Sequence, residues 1–268
     1  MPELPEVETV RRGIAGQLRG KCIDEVIVRC RRLRLPVDKN LRARLVGKTV
    51  LRMRRRGKYL IFDLDGGAVV AHLGMSGVFY FSKTPPQNKH EHIALQIGGQ
   101  FLIYHDPRRF GCFVWHAGAP DSHPLLRNLG AEPLSAKFNG ALLCDAWKGR
   151  AAPVKTALLD GRAVAGIGNI YAAESLHLAR IRPQTPAGKI SAARAEKLAA
   201  AIKQILQKAL RAGGSTLRNF SHPDGAPGHF QMQWKVYGRA GKPCACGGAI
   251  KKITQSGRAT YYCPRCQK

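Results

Sequence analysis

A chain of 268 residues is long enough to bury one large core or two smaller ones, and two is the preferred reading. Its 44 lysines and arginines against 17 acids give a formal net charge of +27, more than solubility requires, so a polyanion is the expected partner. No apolar run is long enough to span a bilayer and no signal peptide is expected ahead of the first helix, which favours nucleic acid over membrane and a cytoplasmic location.

The chain opens Met1-Pro2-Glu3-Leu4-Pro5-Glu6. Val7, Val10, Ile14 and Leu18 follow at helical spacing, which predicts an amphipathic helix from about Pro5 to about Leu18 with Pro2 just ahead of it. Removal of Met1 would expose Pro2 as a secondary amine with an α-amino pKa of roughly 7.7 to 8.0. Such an amine can attack a sugar carbon and collapse to an iminium, with Glu3 and Glu6 beside it as proton donors or orienters. On these six residues alone the plainer reading, Pro5 in a first turn with acids favoured by the helix dipole, is the stronger one.

Strand-like runs come next: Ile23 to Cys30, Tyr59 to Leu64, Ala68 to His72, His92 to Ile97, Gln100 to Tyr104 and Phe113 to Trp115. The turns Asp65-Gly66-Gly67 and Gly98-Gly99 between alternating runs mark hairpins, so the first half is mainly antiparallel β and most economically a sandwich. From Pro120 to Gly149 the pattern becomes irregular, and the domain connection is placed there. The second half reads as helices. A short one begins near Asn169, and a longer one runs from Ser191 to Ala212 with Leu198, Ile202, Ile205, Leu206 and Ala209 on one face and Gly213-Gly214 as its stop. The Gly-, Pro-, Ser- and Asn-rich stretch to about Gly228 predicts a mobile loop.

Several motifs have chemistry to offer. Lys58 stands in Arg54-Arg55-Arg56-Gly57-Lys58-Tyr59 just before an apolar strand, either a solvated charge or a catalytic amine. Met75 lies in the turn Gly74-Met75-Ser76-Gly77, and Arg108 and Phe110 share Asp106-Pro107-Arg108-Arg109-Phe110-Gly111. Apolar side chains and a guanidinium on turns suit a wedge into a base stack, with core packing as the alternative. Asn169 follows Gly166-Ile167-Gly168 at a helix start, as a phosphate site or a plain cap. Cys244-Ala245-Cys246 and Cys263-Pro264-Arg265-Cys266 are separated by sixteen residues that read as a β-hairpin, so four thiolates are expected to close a tetrahedral, structural zinc site, with a metal-free hairpin or an adventitious cysteine pair as the alternative. The first pair is one residue short of the usual spacing. Arg258, at the hairpin tip, suits a bidentate phosphate contact, with an exposed arginine without duty as the alternative. Cys22, Cys30, Cys112 and Cys144 stand singly and suit reduced core thiols.

In this order, Met1 to Thr9, Gly57 to Leu60, His72 to Gly77, Lys89 to His92, Asp106 to Gly111, Gly166 to Tyr171, Tyr237 to Arg239 and the cysteine pairs together resemble the bacterial formamidopyrimidine-DNA glycosylases over essentially the whole chain. The resemblance implies an α+β chain: a two-layer β-sandwich with an N-terminal helix (1–130), a connection (131–150), a helix-two-turn-helix domain with a lesion loop (151–230) and a zinc ribbon (231–268). DNA would lie in the cleft between the lobes. It implies a bifunctional DNA glycosylase and AP lyase of base excision repair, acting on duplex DNA with oxidised purines or abasic sites and cutting by β,δ-elimination. Pro2 would attack C1′, Glu3 would supply the proton that helps open the sugar, and Lys58 would assist the first elimination. Arg258 would bind the lesion's phosphate and serve the second elimination. His90, Arg150 and Asn169 would contact the backbone, Met75, Arg108 and Phe110 would fill the vacated site with Arg108 facing the orphaned cytosine, and Lys155 would help to recognise the lesion. The protein is expected to be a monomer associated with the nucleoid. Endonuclease VIII shares the fold but prefers oxidised pyrimidines, and Leu4 with Arg108-Arg109-Phe110 favours the purine enzyme. A noncatalytic DNA-binding protein is the reading from another class.

Overall fold

The computed structural model describes residues 1–215 and 230–268, and the segment from 216 to 229, where the lesion loop is expected, lies outside the described residues. The chain forms two compact units. One comprises Met1–Arg127 and, among the described residues, Gly213 to Ser215; the other comprises Asn128–Ala212 and Phe230–Lys268.

The first unit begins with helix α1 (Leu4–Leu18), capped by Glu3 and closed by a reciprocal capping box in which the Glu6 carboxylate accepts the Glu3 amide at 2.8 Å. Strand β1 (Ile23–Val28), the short helix α2 (Leu41–Leu45) and strands β2 (Val50–Arg56), β3 (Tyr59–Leu64), β4 (Gly67–His72), β5 (Val78–Ser82), β6 (Glu91–Ile97), β7 (Gln100–His105) and β8 (Cys112–His116) follow. They pair as two antiparallel four-stranded sheets, β1-β6-β7-β5 and β2-β3-β4-β8, which is the expected two-layer sandwich. Phe62, Phe79, Tyr104 and Phe113 interlock in the core, with Phe79 and Tyr104 ring centroids 4.9 Å apart. The apolar stripe of α1 (Val7, Val10, Ile14, Leu18) is fully buried in the same core, and at about 1.5–3 kcal/mol per large side chain such burial dominates the helix's stability.

Two strands differ from the sequence reading. Val50–Arg56 is strand β2, outside the expected strand runs, and carries Arg52, Arg54, Arg55 and Arg56. Only Val50 and Met53 enter the core, and Asp63 on the neighbouring strand accepts from both Arg52 and Arg54 at 2.6 Å. Val78–Ser82 is strand β5, paired with β7. The isolated cysteines are all free, but only Cys112 is buried. Cys22 is exposed, and Cys30 and Cys144 are half-buried, so they are not core thiols as a group.

In the second unit helix α3 (Gly140–Trp147) falls within the stretch expected to be irregular. Asn139 caps it, its Oδ1 accepting the Leu142 amide at 2.9 Å. Helices α4 (Val154–Leu159), α5 (Asn169–Leu178) and α6 (Ala192–Arg211) follow, α6 burying Leu198, Ile202, Ile205, Leu206 and Ala209 as the periodicity predicts. Strands β9 (Lys251–Gln255) and β10 (Arg258–Tyr262) form the C-terminal hairpin, whose two-residue turn places Ser256 and Gly257 at φ 49° and 71°. No helix among the described residues is long and apolar enough to cross a membrane.

Candidate functional site

Strand register gathers the first unit's candidate residues at one end of the sandwich. Arg56 pairs with Tyr59, Tyr59 with His72 and His72 with Cys112. The Lys58 turn, the 73–77 turn and the 106–111 turn therefore leave the second sheet at the same edge. The first sheet contributes His90, just before the Glu91–His105 pair, its ring edge-on to His105 at 5.9 Å. Pro2 and Glu3 are buried at the start of α1. The Met1 ammonium is held below its usual pKa, mainly by burial and further by the charges of Lys58 and Arg108, against the opposing pull of Glu3 and Glu6. Amine, acids, lysine and arginine thus share one electrostatic neighbourhood.

The two turns that carry Met75, Arg108 and Phe110 are bolted together. Each crosses between the sheets, β4 to β5 and β7 to β8. Asp106, fully buried, accepts from the Ser76 hydroxyl at 2.8 Å, the Gly111 amide at 2.9 Å and the Tyr104 hydroxyl at 3.3 Å. Its own carbonyl accepts from His92 Nε2 at 2.8 Å, and the Arg108 amide donates to Ser76 Oγ at 3.3 Å. Gly74 at φ 61° packs so closely on Phe110 and Gly111 that no Cβ would fit. What this frame presents is exposed: Met75 at 37 % and Phe110 at 47 %, with the Arg108 guanidinium 4.8 Å from the centroid of the Phe110 ring. Their exposure excludes the core-packing alternative. Beneath them His72 accepts the Gly74 amide at Nδ1 and is held neutral, its pKa pushed down to about 3 by burial and by the charges of Arg34 and Lys58.

In the second unit the structure joins three elements through one buried amine. Lys155 on α4 is 1 % exposed, and its ammonium donates to Asn169 Oδ1 at 2.5 Å, Thr260 Oγ1 at 2.6 Å and the Ala259 carbonyl at 3.1 Å. Asn169 Nδ2 donates to the same carbonyl at 2.9 Å. Asn169 is not the cap of α5, since Gly168 holds that position and Asn169 is the first helical residue. Arg258 stands exposed beside Ala259 at the start of β10. Lys155 and Asn169 therefore fasten the hairpin that carries Arg258. Arg150 does not join this cluster; its guanidinium bonds Asp160 at 2.6 Å.

At the other end of the hairpin the sulfurs of Cys244, Cys246, Cys263 and Cys266 lie within 4.8 Å of one another. Cys244 and Cys263 are buried and the other two half-buried. The Gly248 amide points at the Cys246 sulfur and, with the neighbouring thiols, holds its pKa down to about 7. Four converging soft donors with amides aimed at sulfur fit a closed tetrahedral zinc site, and one residue fewer in the first pair has not separated the sulfurs.

Comparison with known proteins places the chain in a family. The N-terminal domain model of formamidopyrimidine-DNA glycosylase matches residues 1–113, its H2TH domain model residues 129–221, and the zinc finger found in FPG and IleRS residues 241–268. The chain is 51 % identical to the formamidopyrimidine-DNA glycosylase of Methylococcus capsulatus and 48 % identical to that of Pseudomonas aeruginosa, covering all of both chains in each case. The chain belongs to the formamidopyrimidine-DNA glycosylases. Among solved structures, the MutM (FPG) protein of Thermus thermophilus superposes with a TM-score of 0.89 at 41 % identity, covering 99 % of this chain and 98 % of that one. A Lactococcus lactis FPG variant in complex with Fapy-dG-containing DNA superposes at 0.91 with 36 % identity and full coverage of both.

As a formamidopyrimidine-DNA glycosylase the chain is a DNA N-glycosylase of base excision repair with a structural zinc ribbon. Three further residues of this glycosylase escaped the sequence reading. Asp106 was legible only as part of its motif, not as the hub of the wedge. Glu174, 2 % exposed in mid-helix α5, accepts the amides of Lys235, Val236 and Tyr237 at 2.8–2.9 Å, anchoring the segment that leads into the ribbon. His177 bonds the Cys244 sulfur. An acid at an otherwise buried helical position was the one available signal, and it pointed to Glu174 alone.

Proposed function

We propose that this glycosylase is bifunctional: it excises 8-oxoguanine and formamidopyrimidines from duplex DNA through the amine of Pro2, exposed by removal of Met1, and then cuts the strand. The observation that carries the reading is the burial of Pro2 and Glu3 at the capped start of α1, in the same field as Lys58 and Arg108. A buried α-amine is biased towards its neutral, nucleophilic form.

The Pro2 nitrogen would attack C1′ as the C1′–N bond to the base breaks, with the base leaving on its electron pair and taking a proton. The C1′–O4′ bond then breaks, Glu3 delivering a proton to O4′, and the nitrogen lone pair closes the iminium. That cation acidifies C2′; loss of its proton, assisted by Lys58, expels the 3′ phosphate, and a second elimination, with Arg258 on the phosphate, expels the 5′ phosphate. Hydrolysis of the iminium returns the free amine. Met75, Arg108 and Phe110 would occupy the gap left by the extruded nucleotide, a step that costs a few kcal/mol and costs least for damaged bases. Exposure of all three on a rigid frame supports this role. His90, Asn169 and Arg150 would contact phosphates, Arg150 by leaving Asp160. Lys155 acts in this scheme by fastening Asn169 and the Arg258 hairpin; its burial favours that over direct contact with a lesion. The division into sandwich (1–130), connection (131–150), helical domain (151–230) and ribbon (231–268), a monomeric state and action on chromosomal DNA in the cytoplasm belong to the same proposal.

Borohydride reduction during reaction with an abasic duplex tests it. Peptide mapping should place the sugar remnant on Pro2 of a chain lacking Met1; an adduct on Lys58, or none at all, would overturn the assignment.

A further inference from the structure

A side chain from outside the ribbon stands at the sulfur that opens the shortened cysteine pair. A site of four thiolates holds more negative charge than the cation cancels, and N–H groups aimed at the sulfurs offset it. Cys244 and Cys246 enclose only Ala245, and the Gly247 amide that follows the pair donates to the Cys244 carbonyl at 2.9 Å. In this first knuckle the Cys246 amide is directed at the Cys244 sulfur and the Gly248 amide at the Cys246 sulfur. The knuckle is also tight, since a Cβ on Gly248 would lie 3.0 Å from Cys263 Sγ. His177 Nε2 lies 3.4 Å from Cys244 Sγ, a normal length for an N–H···S bond. His177 does not belong to the ribbon. It sits in the last turn of α5, eight residues beyond Asn169.

We propose that His177 is a positioning residue of the zinc site, donating Nε2–H to the Cys244 thiolate beside the Cys246 amide. A zinc-bound thiolate carries lone pairs and no proton, so the imidazole must be the donor, and this fixes the tautomer protonated at Nε2. His177 is not a fifth ligand, because four thiolates already complete the tetrahedron. Helix α5 is then tied to the ribbon at both ends, through Asn169 and Ala259 at its first turn and through His177 and Cys244 at its last, about 12 Å apart by helical rise. The sequence alone shows the shortened pair, and only the fold shows the side chain that stands at it.

The test uses the full-length, zinc-loaded protein and needs no DNA. Cys244, Cys246, Cys266 and His177 line a cavity of about 590 Å³, so a chelator can reach the site. Zinc transfer to pyridylazoresorcinol is followed for wild type, His177→Phe, which keeps a planar ring but no donor, and His177→Gln, which keeps an N–H. Loss of an outer-shell partner typically weakens metal binding about 10- to 100-fold, so the Phe variant should release zinc at least about 10-fold faster and the Gln variant should recover most of that loss. In the cobalt-substituted proteins the sulfur-to-cobalt charge-transfer band should move to lower energy in the Phe variant and return in the Gln variant, with ligand-field bands of four thiolates in all three. Wild-type release and spectra in the Phe variant would overturn the proposal, and so would a Gln variant as labile as Phe, which would indicate packing alone. A ligand-field change showing loss of a nitrogen ligand would overturn it too. Should the Phe variant fail to fold, His177→Met takes its place in both measurements.

Discussion

Replacing Asp106 should loosen the wedge without touching its exposed residues. The carboxylate is wholly buried and accepts three hydrogen bonds, from Ser76, Gly111 and Tyr104. Hydrogen bonds to a charged group contribute roughly 1.5–3 kcal/mol each, and the 3.3 Å bond to Tyr104 belongs at or below the bottom of that range. Asp106→Ala therefore forfeits a gross of about 5 kcal/mol and strands the buried Gly111 amide, while removing the cost of burying a carboxylate, so the net loss is about 3–4 kcal/mol. Asp106→Asn should cost less, about 1–2 kcal/mol, because its oxygen can keep Gly111 and Tyr104 while the Ser76 hydroxyl turns to accept from the new NH₂. The assay is urea unfolding followed by Trp115 fluorescence, with Trp147 and Trp234 replaced by Phe so that only the first unit reports. The same variants should discriminate less between cytosine and adenine opposite 8-oxoguanine, since Arg108 hangs from this frame. An Ala variant within about 1 kcal/mol of the parent, or one less stable than the parent by no more than Asn is, would refute the hub reasoning.

Glu8 supplies a pH dependence of known sign. Burial pushes its carboxyl up, but hydrogen bonds from Arg11 and Arg12 and the charge of Arg55 outweigh this and hold it below the ordinary 4.5. A depressed folded pKa gives stability that is present above the unfolded value and lost as pH falls through the folded one. The melting-temperature advantage of wild type over Glu8→Gln should therefore be full at pH 7 and shrink below about pH 4.5; an advantage that grows in acid would reverse the assignment. Arg108→Ala should reduce the preference for cytosine over adenine opposite 8-oxoguanine by the about 1–3 kcal/mol of a bidentate base contact while sparing a preformed abasic site, as read in single-turnover rates. Elemental analysis of protein purified without added metal should give one zinc per chain, and Cys263→Ser should lose it together with the hairpin's order and with tight DNA binding. Intact binding without zinc would show that the ribbon folds unaided.

The sequence by itself determined the elements whose signals are local. Helix α1 follows from Val7, Val10, Ile14 and Leu18 at helical spacing. The β3–β4 and β6–β7 hairpins follow from glycine turns between alternating runs, and the zinc site from two cysteine pairs around a hairpin. Turn placement likewise revealed Met75, Arg108 and Phe110 as exposed. What only the tertiary structure decided rests on partners distant in the chain. Strand β2 is hidden by its arginines until Asp63 neutralises two of them and β3 supplies the register. Lys155 can be buried only because Thr260, 105 residues away, and Asn169 accept its protons. Asp106 meets Ser76 across 30 residues, Glu174 meets Val236 across 62, and His177 meets Cys244 across 67. A periodic pattern reports which face of an element is apolar, because burial depends on a residue's own chemistry. Burial of a charged or polar group depends on whether a partner arrives to satisfy it, and that partner is fixed only when the chain has folded.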